Sequence, residues 1–153
     1  MDLYQYLKMD HQFVSKLFKQ FEKSELLDRK KQIITMLCNE LLAHAESEQM
    51  TFYRVLEQDP LTKPLAIHGK REHQDIEDHI RYILNAKSFG VSWQSRVKKL
   101  QDVVSHHVKE EEGAIFRKAK KVLSEKDAAV IKEKMHYLKE NLLRKLQKKL
   151  YFH

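Results

Sequence analysis

The sequence predicts an all-α fold, an up-down-up-down four-helix bundle with an additional C-terminal amphipathic helix. Three observations predict it. The 153 residues include only 3 Gly and 2 Pro, so helix breakers are scarce and helix formers dominate. Apolar residues recur at steps of three and four through long stretches, the period of a helix with one buried face. One stretch also repeats: His44 to Arg54 (HAESEQMTFYR) aligns without gaps with His107 to Arg117 (HVKEEEGAIFR). The two share the leading His, a Glu four residues later (Glu48, Glu111), an aromatic (Tyr53, Phe116) and the closing Arg.

Length and composition bound the rest. The chain suits one domain spanning 1–153, with a four-helix core over about 3–122 and a last helix over about 125–150. A single cysteine, Cys38, rules out an internal disulfide and a thiolate metal cluster, which suits a reducing, cytoplasmic setting. No apolar run reaches the roughly 18 residues of a membrane span, and the N-terminus lacks the basic start and apolar stretch of a signal peptide. The formal charge is +7, and eight Lys or Arg against four acids from Glu125 onward place much of it on the last helix. That pattern reads as a solvated basic face, and with no nucleic-acid-reading motif no nucleic-acid partner is expected.

In chain order, the first helix runs from about Leu3 to Phe21 on a stripe of Leu3, Leu7, His11, Val14, Phe18 and Phe21. Asp28 is expected to cap a second helix lasting to about Leu56, with Ile33, Leu37, Leu41, His44, Glu48, Phe52 and Val55 facing inward. Pro60 and Pro64 close it. A third helix to about Lys87 carries His73, Ile76, Glu77, Ile80 and Leu84 on one side, with His68 and His79 on a solvated flank. After a turn at Ser88, Phe89 and Gly90, a fourth helix from about Ser92 to Val122 carries Val97, Leu100, Val104, His107, Glu111 and Ile115 inward, leaving His106 to the surface. Ser124 with Asp127 resembles a capping box opening the fifth helix, whose stripe is Ile131, Met135, Leu138, Leu142, Leu146 and Leu150. That stripe packs on the bundle or is offered to a protein partner or an acidic membrane.

Every one of the four main helices therefore carries an inward His, and three carry a Glu one turn later: His11; His44 and Glu48; His73 and Glu77; His107 and Glu111. Burying seven such groups without compensation costs several kcal/mol each, against a domain's net stability of roughly 5 to 15 kcal/mol. Divalent metal compensates best. Imidazole and carboxylate without thiolate suit iron, manganese or zinc, and seven ligands are too many for one ion. Two six-coordinate ions offer roughly twelve positions. With Glu48 and Glu111 each bridging and a bridging oxygen, about one position stays open, or two if Glu77 does not coordinate.

Asp10–His11, the HAESE run followed by Tyr53, Glu72–His73, and HHVKEEE followed by Ile115–Phe116 resemble the successive motifs of the hemerythrin-like, or HHE cation-binding, domain family. The resemblance covers roughly residues 5 to 120. It implies a bundle around a non-haem di-iron centre, two iron ions with a bridging oxo or hydroxo group, with His11, His44, Glu48, His73, His107 and Glu111 at the matching ligand positions. This chain has Glu77 where the oxygen-carrying members have His, and Glu111 four residues after the last His where they have Asp at five. Those departures favour sensing, detoxification or iron handling over reversible oxygen carriage.

Three functions are carried forward. The first is a di-iron protein that binds or senses dioxygen, nitric oxide or peroxide. The second is an enzyme on the same centre, as peroxidase, oxidase or iron donor for cluster repair. The third is a metal-free interaction module acting through the basic fifth helix. A ferritin-like site needs two Glu-x-x-His motifs, and the single one here, Glu133 to His136, lies on the ligand-poor last helix.

Overall fold

The structure is a computed structural model describing residues 1–152. Five helices follow one another: α1 (Leu3–Lys23), α2 (Leu27–Glu48), α3 (Lys63–Leu84), α4 (Val91–Glu110) and α5 (Glu125–Gln147). Two of them run on past a π-helical turn. α2 continues through Gln49–Tyr53 into Arg54–Leu56, and α4 through Glu111–Ile115 into Phe116–Val122. Short connections make successive helices antiparallel neighbours, so the first four form the expected bundle and α5 packs along α2 and α1. Among the described residues, no helix is long and apolar enough to cross a membrane.

The helix ends follow local chemistry. Asp2 caps α1, accepting from the Gln5 amide at 2.8 Å while the Gln5 side chain accepts from the Asp2 amide. Ser124 caps α5 through the Asp127 amide at 3.0 Å, as the sequence predicts. Asp28 does not cap α2. Leu26 occupies that position, and Asp28 sits in the first turn, where a negative charge still favours the helix N-terminus. Pro64 opens α3 rather than closing α2, since a ring without an N–H is tolerated in a first turn. Trp93 Nε1 donates to the Ile83 carbonyl at 3.1 Å and fastens the α3–α4 turn.

Helical phase past residue 48 departs from the sequence expectation. A π-turn takes up an extra residue, which rotates everything after it by about 100°. Leu56 is consequently buried, while Val55, expected inward, is 40% exposed.

The apolar core is split in two. One half gathers Phe18, Phe21, Leu37, Ile80, Trp93 and Leu100; the other gathers Leu3, Leu7, Phe52, Tyr53, Phe116 and Met135. Between them lies a layer of buried His, Glu and Asp. At the second half the chains approach closely, because a Cβ on Gly69 of α3 would lie 2.8 Å from the Tyr53 ring.

The inward row of α5 begins as expected with Ile131 and Met135, then passes through Lys139 and Leu143, while Leu150 is 79% exposed. Lys139 is buried, with Nζ 2.6 Å from Asp10 Oδ1 and 3.3 Å from Glu40 Oε2. α5 thus attaches through apolar contact and through one buried cation shared by two acids of α1 and α2.

Two outcomes follow. Gly69→Ala gains up to about 1 kcal/mol of helix propensity but overpacks against a fixed ring at a cost of about 1–3 kcal/mol, so urea denaturation should show net destabilisation. Lys139→Met removes one of the two positive partners of the buried Asp10, leaving His44, and should cost about 1–3 kcal/mol in the same assay.

Candidate metal centre

His11 lies in the middle of α1, His44 and Glu48 in the last turns of α2, His73 within α3, and His107 and Glu111 where α4 gives way to its π-turn. The bundle brings these six side chains into the polar layer between the two apolar halves. Glu48 and Glu111 are completely buried, and the four imidazoles nearly so. They fall into two overlapping sets: Glu48, His73, His107 and Glu111; and His11, His44 and Glu111.

Each glutamate spans the layer. Glu48 places Oε2 3.5 Å from His44 Nε2 and Oε1 3.2 Å from His73 Nε2. Glu111 places Oε1 3.1 Å from His11 Nε2 and Oε2 3.5 Å from His107 Nε2. A carboxylate with one oxygen toward each of two imidazole pairs has the disposition of a bridging ligand.

The outer nitrogen of every imidazole meets an oxygen acceptor. His11 Nδ1 lies 2.6 Å from Glu112 Oε2, and His44 Nδ1 2.9 Å from Asp10 Oδ2. His73 Nδ1 lies 2.7 Å from Gln49 Oε1, and His107 Nδ1 2.8 Å from Glu72 Oε1. These partners hold the proton on Nδ1 and aim the Nε2 lone pair inward, the arrangement that raises the basicity of metal-binding histidines. The acid preceding each lone His thus serves a neighbouring helix: Asp10 steadies His44, and Glu72 steadies His107.

Inside the layer the accounting does not close with protein groups alone. His11 Nε2, His44 Nε2, both oxygens of Glu48 and Glu111 Oε1 are buried without a hydrogen-bond partner. Their mutual distances are short, but their angles do not make hydrogen bonds. His73 Nε2 and His107 Nε2 face each other at 3.0 Å, so a proton or a cation must lie between two lone pairs. Unpaired buried groups of this kind each cost about 1–3 kcal/mol. Imidazole and carboxylate donors without thiolate fit iron, manganese or zinc.

The electrostatics of the layer's own side chains point the same way. Burial works to lower the His44 pKa, but Glu48 and Asp10 beside it prevail and raise it to about 10. His107 is raised to about 10 against the same burial by Glu111 and Glu72. Burial keeps His73 below the usual value, with the neighbouring His107 adding to the effect. Burial would raise the Glu111 carboxyl, but His107 and His11 hold it well below the usual carboxylate range. The carboxylates demand positive charge, and without metal the imidazoles supply it by taking protons.

Glu77 does not join this group. Its side chain is 43% exposed and accepts from Arg81 at 3.0 Å. Tyr53, which sequence spacing left unassigned, does reach the layer: its hydroxyl donates to Glu111 Oε2 and lies 3.5 Å from His107 Nε2. Burial and the Glu111 charge push its phenol well above the usual pKa, so it stays a proton donor. Gln49 and Glu112 were also missed, and their only sequence signal is adjacency to the two glutamates. The four imidazoles border a cavity of about 20 Å³ between the four core helices, walled by Val14, Leu41, Ile76, Val104 and Val108. That is room for one water-sized or diatomic molecule.

A solved structure with this fold is the crystal structure of a hemerythrin HHE cation binding domain-containing protein from Mycobacterium kansasii. It matches with TM-score 0.82 at 19% identity, covering 97% of this chain and 94% of that one. A protein of Nostoc sp. (strain PCC 7120) described as a DNA nickase is 25% identical over 131 residues, 81% of this chain. The chain spans 35% of that relative's length. The family model of the Hemerythrin HHE cation binding domain matches residues 2–119, a span that holds all six inward His and Glu side chains. The chain belongs to the hemerythrin HHE cation-binding domain family.

Proposed function

We propose that this chain holds a pair of iron ions in its polar layer and uses them to bind a small oxidant or diatomic ligand, dioxygen, nitric oxide or peroxide. His11, His44, His73, His107, Glu48 and Glu111 would hold them. The observation that carries this reading is the set of five buried, unpartnered donor atoms aimed at the same small volume. Bound iron would supply redox chemistry and open coordination positions. Without Glu77 the site has more vacant positions than the seven-ligand set expected from sequence, which favours sensing or peroxide chemistry over reversible carriage.

This chain's own residues do the rest. Asp10, Gln49, Glu72 and Glu112 orient the imidazoles through Nδ1. The apolar wall of Val14, Leu41, Ile76, Val104 and Val108 limits the cavity to a small guest and limits water. Tyr53 holds a proton at its hydroxyl beside Glu111. α5 contributes Lys139, which neutralises Asp10 behind His44. A packed α5 with a buried lysine favours the metal-centred readings over an interaction module built on that helix. The nicking named for the Nostoc relative belongs to a protein that this chain spans only in part, and no residue here is assigned to it.

Metal analysis after iron loading and removal of loosely held surface metal is expected to give two irons per chain, with near-ultraviolet absorption that azide perturbs. His44→Ala and Glu48→Ala should lose metal together with the chelator-sensitive part of thermal stability, as linkage requires. Glu77→Ala should keep both. Loss of metal in Glu77→Ala equal to that in Glu48→Ala, or thermal stability indifferent to chelator in the parent protein, would overturn the ligand set.

A further inference from the structure

The step that builds the buried layer, His followed four residues later by Glu, also occurs outside it, and two of those pairs meet in the fold. His68 and Glu72 take it on α3, and His106 and Glu110 on α4. Neither pair is used as an inward ligand, and the bundle brings both together at the surface beside the buried layer. His68 Nε2 lies 2.9 Å from Glu110 Oε2 and 3.5 Å from Glu72 Oε2. His106 Nε2 lies 3.0 Å from Glu110 Oε1 and 3.5 Å from Glu72 Oε2.

From these contacts we infer that His68, Glu72 and Glu110 form a second, surface site for a borderline divalent cation such as zinc or ferrous iron, with His106 facing the same two carboxylates at its rim. Zinc held at about 2.0–2.1 Å by nitrogen and oxygen donors has tetrahedral edges of roughly 3.3–3.4 Å. His68 Nε2 stands 2.9 and 3.5 Å from its two carboxylates, around that edge, and one donor atom from each of the three residues lies within 4.8 Å of the other two. Imidazole with two carboxylates is also a zinc-type donor set, unlike the all-oxygen sets that magnesium and calcium prefer. Both histidines are more than half exposed, at 52% and 68% of their side chains, so a cation arriving from solvent meets them first.

Glu72 ties this site to the buried one. Its Oε2 faces the surface histidines, while its Oε1 accepts from Nδ1 of the inward His107 at 2.8 Å. One carboxylate therefore separates the two stations, and the outer one stages metal for the inner. The staging role rests on the di-iron reading above; the existence of the surface site does not.

Calorimetric titration with Zn(II) separates the two. The parent protein should take up one more equivalent than the His68→Ala/His106→Ala double variant, whose exposed changes leave the fold intact by urea denaturation. His44→Ala should retain that outer equivalent while losing inner binding. Equal stoichiometry in the parent and the double variant, or loss of the outer equivalent in His44→Ala, would overturn the surface site. For staging, anaerobic Fe(II) loading followed by stopped-flow absorption should be slower in the double variant and reach the same final inner occupancy. An unchanged loading rate would overturn the staging role.

Discussion

Four imidazole lone pairs and two carboxylates confront one another in a layer with no water-facing side, and the rest of the molecule is arranged around that confrontation. Left to themselves these groups repel or lie unpaired, and such a layer would weaken any small bundle. The fold holds them there by brute packing from both ends. Phe21, Trp93 and Leu100 belong to the apolar half on one side, and Leu7, Phe52 and Met135 to the half on the other. Part of the protein's hydrophobic stability thus goes into keeping six donor side chains pre-aimed, which is the condition for binding cations without a large reorganisation.

Aiming is done from outside the layer. Each imidazole is gripped at Nδ1 by an oxygen that belongs to a different helix, so the orientation of any one ligand depends on at least two elements being in place. The buried Lys139 extends that dependence to α5, which lies beyond the span matched by the family model. A helix that reads in sequence as a basic appendage is tied through Asp10 to His44. The π-turns add to the same end: they begin at Glu111 and immediately after Glu48, and they rotate Tyr53 and Leu56 into the interior beyond. π-turns inside helices are often found at functional positions, and here they start at the two spanning carboxylates.

Much of this was legible in the sequence. The fold class, the bundle with its extra helix, and the inward orientation of His11, His44, Glu48, His73, His107 and Glu111 follow from helical periodicity, because each lies on a long regular stripe. Glu77 shows the limit of that reasoning. It stands one turn after His73 just as Glu48 stands after His44, and in each pair the Glu is rotated by about 40° from its His. On α3 that rotation carries Glu77 to the edge, where Arg81 takes it. Val55 fails for the complementary reason, since a π-turn intervenes and the regular period no longer applies. Gln49, Glu112 and Lys139 were invisible because their roles are tertiary: Lys139 meets an acid 129 residues away. Asp10 and Glu72 were visible as motif letters but not as partners of His44 and His107, because an acid beside a His in sequence suggests that it serves that His.

The central claim is that the layer holds two metal ions in the space between the imidazole pairs. Anomalous X-ray scattering from iron-loaded crystals, collected on both sides of the iron absorption edge, tests it most directly. The account predicts two peaks in the layer, one within coordinating distance of His11 and His44 and the other of His73 and His107, with Glu48 and Glu111 in reach of both and Glu77 of neither. An iron-loaded protein with no peak in that layer would contradict it.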